Sequence, residues 1–296
     1  MIVEKIGFIG LGIMGVPMAG HIIGAGYPLS VFNRTKGKAS VLADKGAVVL
    51  DTPAEVAQAS DIIITMVSDT PDVEQVLFGK NGVYEALAPG KVVIDMSTIS
   101  AEATRSFYAK IAKKGASLLD APVSGGEIGA INATLTIMVG GDEAVFDRCT
   151  PLLKTMGKTV TYMGPSGAGQ ACKMCNQVLL IGCLMGVCEG FLLASKEGLD
   201  INRFIDVVSG GAGASAQLRI CGEKIAKRDF SPGFLMDLMA KDLEIVHQAQ
   251  RENKLFSPVT ALAAQMVKSI QAQDGGGKLG SQAMMLSFEK LSGQEI

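Results

Sequence analysis

Charge of either sign is scarce in this sequence. Lys and Arg number 27 against 29 Asp and Glu, a formal net charge of −2, so there is no broad field to attract nucleic acid or an anionic membrane. A small molecule is the expected partner. Histidine is rarer still: only His21 and His247 occur, neither beside a loop expected to hold ligand, and both read as structural. The six cysteines are scattered through 296 residues, a chain too long to need disulfide staples, so reduced thiols are expected. Cys172 and Cys175 have C-x-x-C spacing, but no second Cys or His pair completes four ligands, and no metal site is expected. Also missing are a repeat at a solenoid period, a low-complexity tract beyond Gly275 to Gly277, and the basic-then-apolar start of a secretion signal. The chain reads as cytoplasmic. Its most apolar stretch, 178–195, is broken by Glu189 and contains glycines, which favours a helix packed against protein over a membrane span.

Glycine, by contrast, is abundant. The 36 glycines are about 12% of the chain against a background of roughly 7%, and with 48% apolar residues they exclude a disordered or collagen-like protein. The length suits two domains. Candidate strands at 5–9, 29–32, 47–50, 61–67, 91–96, 116–120, 135–139 and 159–163 alternate with helical stretches at 14–25, 53–58, 101–114 and 143–155. That alternation predicts an α/β, doubly wound parallel sheet over residues 1–163. After Gly164-Pro165-Ser166-Gly167-Ala168-Gly169 only helical patterns remain. They begin with a long helix at 170–197 that leaves one domain and forms the core of the next, and residues 164–296 are predicted to be all-α.

The segment I-G-F-I-G-L-G-I-M-G places Gly10, Gly12 and Gly15 in G-x-G-x-x-G spacing between a strand and a helix, the context of a Rossmann-type dinucleotide site. Gly10 allows a tight turn, Gly12 opens the backbone to a pyrophosphate, and Gly15 lets helix and strand approach; Ile13 and Met14 complete the turn. Charge at the end of the second strand selects the dinucleotide. An NAD site normally carries an acid there, whereas this chain reads Val31-Phe32-Asn33-Arg34-Thr35-Lys36, with no acid between Glu4 and Asp44. Arg34 can pair with a 2′-phosphate, Asn33 and Thr35 can donate to it, and Lys36 or Lys38 can add charge. NADP, with NADPH preferred over NADH, is expected. Met66 and Val67 end one strand and Thr98 follows another, so either loop suits the nicotinamide; alternatively Ser97 or Thr98 caps the next helix. Reduction of a carbonyl needs a proton donor. Lys173, just after the glycine-rich turn, has Asn176 and Gln177 on the same helical face and is the candidate.

These residues resemble the β-hydroxyacid dehydrogenase family nearly end to end: G-F-I-G-L-G-I-M-G-x-P-M, D-M-S-T, D-A-P-V-S-G-G, G-x-G-x-x-x-K-x-x-N and K-D-L. The resemblance implies that Lys173 is the catalytic acid/base and that Asn176 helps hold the substrate. It further implies that Ser124, Gly125 and Gly126 bind the substrate carboxylate, and that Phe234 and Lys241 approach the nicotinamide. From sequence alone, Lys241 reads as a helix charge paired with Asp242. The implied activity is NADPH-dependent reduction of a small carboxylate-bearing semialdehyde to its hydroxyacid, with tartronate semialdehyde favoured. Methylmalonate semialdehyde, succinic semialdehyde and glyoxylate are the alternatives. A homodimer or homotetramer is implied as well. The reading from another class is a non-catalytic NADP-sensing protein.

Overall fold

A computed structural model describes residues 4–296, with only the backbone of Lys36; the charge expected from its side chain lies outside the described residues. The chain divides into two compact units, Met1–Lys173 and Met174–Ile296. The loop before the long helix and that helix's first turn therefore belong with the sheet.

The first unit runs β1 (Ile6–Ile9), α1 (Gly15–Gly24), β2 (Leu29–Phe32), α2 (Ser40–Ala43), β3 (Val48–Val49), α3 (Pro53–Ala59), β4 (Ile62–Thr65), α4 (Thr70–Phe78), β5 (Val92–Asp95), α5 (Ala101–Ala112) and β6 (Ser117–Asp120). It continues with β7 (Val123–Ser124), α6 (Gly126–Ile131), β8 (Leu135–Gly140), α7 (Glu143–Leu153), β9 (Gly157–Gly164) and the start of α8 (Ala168–Lys196). The strand order is β3-β2-β1-β4-β5-β6-β8-β7, with β9 on β8. β3 to β6 are parallel, the 3-2-1-4-5-6 winding of a Rossmann domain. The expected all-parallel sheet is corrected at one end: β8 runs antiparallel to β6 and β7. Alternation in β4 sends Ile62 and Ile64 to the cluster containing Met18 and Ile22 of α1. It sends Ile63 to the opposite cluster, with Val73, Phe107 and Ile111. Burial on both faces is why the strand has no polar alternation.

The second unit is helical: most of α8, then α9 (Ile201–Ser209), a π-helical turn (Leu218–Gly222) leading into α10 (Glu223–Ala226), α11 (Met236–Glu252), α12 (Pro258–Gln271) and α13 (Met284–Ser292). Ile181, Leu184, Cys188 and Phe191 of α8, at 3.6-residue spacing, enter its core with Met239, Leu243, Val267 and Met284. Elsewhere on α8, Leu179 and Leu193 are 71% and 64% exposed. Its length and composition would also let it cross a membrane. α8 ends where Gly198 takes a left-handed φ of +73°, the stop expected of glycine.

Candidate active site

β1 delivers the chain to Gly10, whose φ of +101° excludes ordinary side chains and whose absent Cβ leaves room for the Met66 carbonyl. Gly15 starts α1 against the Gly10 carbonyl, where a Cβ would overlap. Gly12 faces open space, Ile13 is exposed, Met14 is half-buried, and no acid stands in the first turn of α1. This bare, acid-free helix start fits a dinucleotide's phosphates.

At the end of β2, Asn33 Oδ1 accepts the Leu11 N–H at 2.8 Å while its Nδ2 donates to the Thr35 carbonyl at 2.9 Å. Asn33 therefore ties the glycine turn to the β2 end, a role its spacing did not indicate. Thr35 is exposed. The Arg34 side chain is 92% exposed, 3.9 Å from the Asp72 carboxylate at the start of α4. Such an exposed pair is weak, and the guanidinium is available to a ligand.

A buried polar network lies beside the turn. Thr65, Asp95 and Asp120 occupy one register across the ends of β4, β5 and β6. Thr65 Oγ1 donates to Asp95 Oδ1 at 2.8 Å and Ser97 N–H to the same oxygen at 3.2 Å. Asp95 Oδ2 has no partner among the described residues. Burial pushes the Asp95 carboxyl up to about 6, with the neighbouring Asp120 charge adding to it and the Ser97 and Thr65 hydrogen bonds opposing. Ser97 Oγ accepts the Val67 N–H at 3.0 Å, fixing the loop of Met66 and Val67, both half-buried. The alternative of Ser97 or Thr98 as a helix cap gives way to Ser100, whose side chain caps α5. Thr98 sits half-buried between them.

Ser124 is half-buried on β7, and Gly125 and Gly126 follow at φ +135° and +61°, backbone that L side chains rarely adopt. Leu135 Cδ2 would lie 3.2 Å from a Cβ on Gly125. Lys173 is 7% exposed in the second turn of α8, a depth unusual for a lysine.

In the second unit, Asn176 Nδ2 donates to Gln177 Oε1 at 2.8 Å, Gln177 Nε2 donates to Asp242 Oδ2 at 2.6 Å, and Lys241 Nζ lies 2.9 Å from Asp242 Oδ1. Asp242 is 3% exposed and Gln177 1%. The pairing of Lys241 with Asp242 is present, but its acid is buried rather than solvated. Phe234, two residues before α11, is half-buried. Asp95 and Asp120 stand in the D-M-S-T and D-A-P-V-S-G-G motifs with no role expected of them, and Asp242 was expected only as the partner of Lys241. His21 Nε2 bonds the Ala130 and Ile131 carbonyls at the end of α6, and His247 Nε2 the Thr260 carbonyl, both structural.

Two family profiles match consecutive stretches of the chain. Residues 5–164 match the NAD binding domain of 6-phosphogluconate dehydrogenase, and residues 167–287 match the NAD-binding of NADP-dependent 3-hydroxyisobutyrate dehydrogenase. The chain is 44% identical over 293 residues to 2-hydroxy-3-oxopropionate reductase of Escherichia coli (strain K12), covering 99% of each. Among solved structures, Mycobacterium tuberculosis 3-hydroxyisobutyrate dehydrogenase with L-serine has a TM-score of 0.87 at 33% identity, covering 97% of this chain and 99% of that one. Psf3 in complex with NADP+ and 2-OPP has a TM-score of 0.87 at 27% identity, covering 97% and 99%.

Proposed function

Because the chain belongs to the β-hydroxyacid dehydrogenase family, and so is an NAD(P)-dependent oxidoreductase of small hydroxyacids, we propose that it reduces tartronate semialdehyde to glycerate with NADPH. The observation that carries this choice is the end-to-end identity of 44% with a 2-hydroxy-3-oxopropionate reductase. On this reading the first unit binds NADP and carries Ser124, Gly125, Gly126 and Lys173, and the second carries Asn176. A dinucleotide at the glycine turn supplies the hydride. Gly10, Gly12, Ile13, Met14 and Gly15 hold its phosphates, Arg34 and Thr35 its 2′-phosphate, and Met66, Val67, Thr98, Phe234 and Lys241 its nicotinamide end.

The chain's own chemistry is proton transfer and orientation. Ser124 and the backbone amides of Gly125 and Gly126 receive the substrate carboxylate. Asn176, braced by Gln177, orients the substrate, and the Lys173 ammonium gives its proton to the carbonyl oxygen as the carbon is reduced. In the oxidative direction the neutral amine takes the hydroxyl proton. The exposed strip of α8 around Leu179 and Leu193 supports a homo-oligomer formed through the second unit, which a monomeric mass in sedimentation would remove.

The test is a set of steady-state rates with NADPH and NADH over tartronate, methylmalonate and succinic semialdehydes and glyoxylate, with Lys173→Ala as control. Highest kcat/KM for tartronate semialdehyde with NADPH, and a loss of about 10²-fold or more in the mutant, are expected. Wild-type turnover by Lys173→Ala overturns the mechanism, and equal use of NADH overturns the cofactor choice.

A further inference from the structure

The long helix α8 starts without a local cap of the kind found elsewhere in the fold. Thr52, Asp69, Ser100, Asp142 and Asp200 each cap the helix that directly follows them. The first turn of α8 is instead held by Asp120 at the end of β6. Its Oδ1 accepts the Gly167 N–H at 2.8 Å and its Oδ2 the Gln170 N–H at 2.9 Å. Asp120 is fully buried, so this carboxylate meets the positive end of the helix without water between them. Burial pushes its carboxyl up while the Gly167, Gln170 and Gly169 amides oppose the rise.

Two further features press the same turn onto the sheet. A Cβ on Gly140 would lie 2.7 Å from Asp120 Oδ1 and 2.8 Å from the Gly169 nitrogen, and a Cβ on Gly169 would lie 2.6 Å from the Asp120 carbonyl. Only glycine at both positions allows this approach. Gln170, also fully buried, then bonds in both senses to the loop after β5: its Oε1 accepts the Ile99 N–H at 3.1 Å and its Nε2 donates to the Ser97 carbonyl at 2.7 Å. Lys173 follows Gln170 by three residues, a rise of about 4.5 Å.

We propose that Asp120 and Gln170 are positioning residues that fix the first turn of α8 in register with the ends of β5 and β6 and so set where Lys173 holds its proton; this rests on Lys173 being the proton donor. Neither residue needs to touch substrate. A shift of about 1 Å in a catalytic group costs on the order of 10²-fold in rate, so the effect falls on kcat.

The experiment compares Asp120→Ala, Asp120→Asn and Gln170→Ala with wild type and Lys173→Ala, reading kcat, KM, NADPH affinity, the pH profile of kcat and amide hydrogen exchange at 167–170. We expect kcat to fall about 10- to 100-fold in Asp120→Ala and Gln170→Ala, with KM and NADPH affinity within about threefold. Exchange at 167–170 should quicken by about tenfold or more. Asp120→Asn, which keeps one acceptor oxygen, should lie between Asp120→Ala and wild type, and the pH midpoint assigned to Lys173 should move. If Asp120→Ala does not fold, Gln170→Ala decides, since it keeps Asp120 on the Gly167 and residue-170 backbone amides. An inactive Lys173→Ala beside an Asp120→Ala or Gln170→Ala protein with fast exchange but wild-type kcat overturns the positioning role alone. A fully active Lys173→Ala instead overturns the proton-donor reading and this proposal's kinetic claim with it, whatever the exchange data show.

Discussion

Asp95 in the sheet unit and Asp242 in the helical unit are almost equally buried, at 2% and 3% exposed, yet they are held in different ways. Asp95 receives a threonine hydroxyl and a backbone amide, and its Oδ2 has no partner among the described residues. Asp242 receives the Gln177 amide on one oxygen and the Lys241 ammonium on the other. The contrast extends to their surroundings. The sheet unit builds its site largely from backbone at strand ends, with glycines where the chain approaches itself, whereas the helical unit builds from side chains reaching between α8 and α11. A backbone site tolerates little added volume, while a side-chain site fails when one partner of a buried charge is removed.

The sharpest way to break this contrast is Gly10→Ala. A Cβ at φ +101° against the Met66 carbonyl should cost on the order of 4 kcal/mol of stability and abolish NADPH binding; normal binding in a folded mutant would show that the turn adjusts freely. Next comes Asp95. Its folded-state pKa is raised to about 6 from an ordinary 3.8, so folding takes up a proton between those values. The stability it contributes is fully present below about 4 and is lost as pH rises through about 6, a change of up to ~3 kcal/mol. Asp95→Asn should therefore flatten the pH 4–6 slope in denaturant unfolding and exceed wild type in stability at pH 8. A less stable mutant at pH 8 would mean that the charged form has found stabilising partners.

On the helical side, Asp242→Leu removes the carboxylate shared by the Lys241 ammonium and the Gln177 amide. We expect kcat/KM to fall by about 10²-fold, equivalent to ~2.7 kcal/mol, with NADPH affinity little changed; an unaltered kcat/KM would make the Asn176 to Lys241 chain of contacts irrelevant to turnover. The smallest effect belongs to exposed Arg34. Arg34→Ala should raise KM for NADPH by about tenfold, ~1.4 kcal/mol, and leave KM for NADH unchanged. Equal loss with both cofactors would remove the 2′-phosphate assignment.

Much of the sheet unit was legible because its signals are local. Apolar runs such as Ile62 to Thr65 and the glycine spacing before α1 need only strand burial and allowed backbone angles to be read. α4 escaped although Asp69 and Pro71 mark its start, because nine residues that bury only Val73 and Leu77 give too short a period to read. β7 and α6 escaped because two strand residues and a six-residue helix are too short for a period to show. Asn33 was seen as a donor for ligand, and only the fold showed its amide engaged by Leu11 and Thr35.

The sequence by itself determined the two-part architecture, the dinucleotide turn and the family, since periodicity, glycine spacing and motif order are properties of neighbouring residues. Only tertiary structure decided which buried polar groups meet. Asp120 meets Gly167 and Gln170 across 47 and 50 residues, and Gln177 meets Asp242 across 65. Such partners become neighbours only once strand order and helix packing are fixed, and no local pattern in the chain encodes which carboxylate will face which amide.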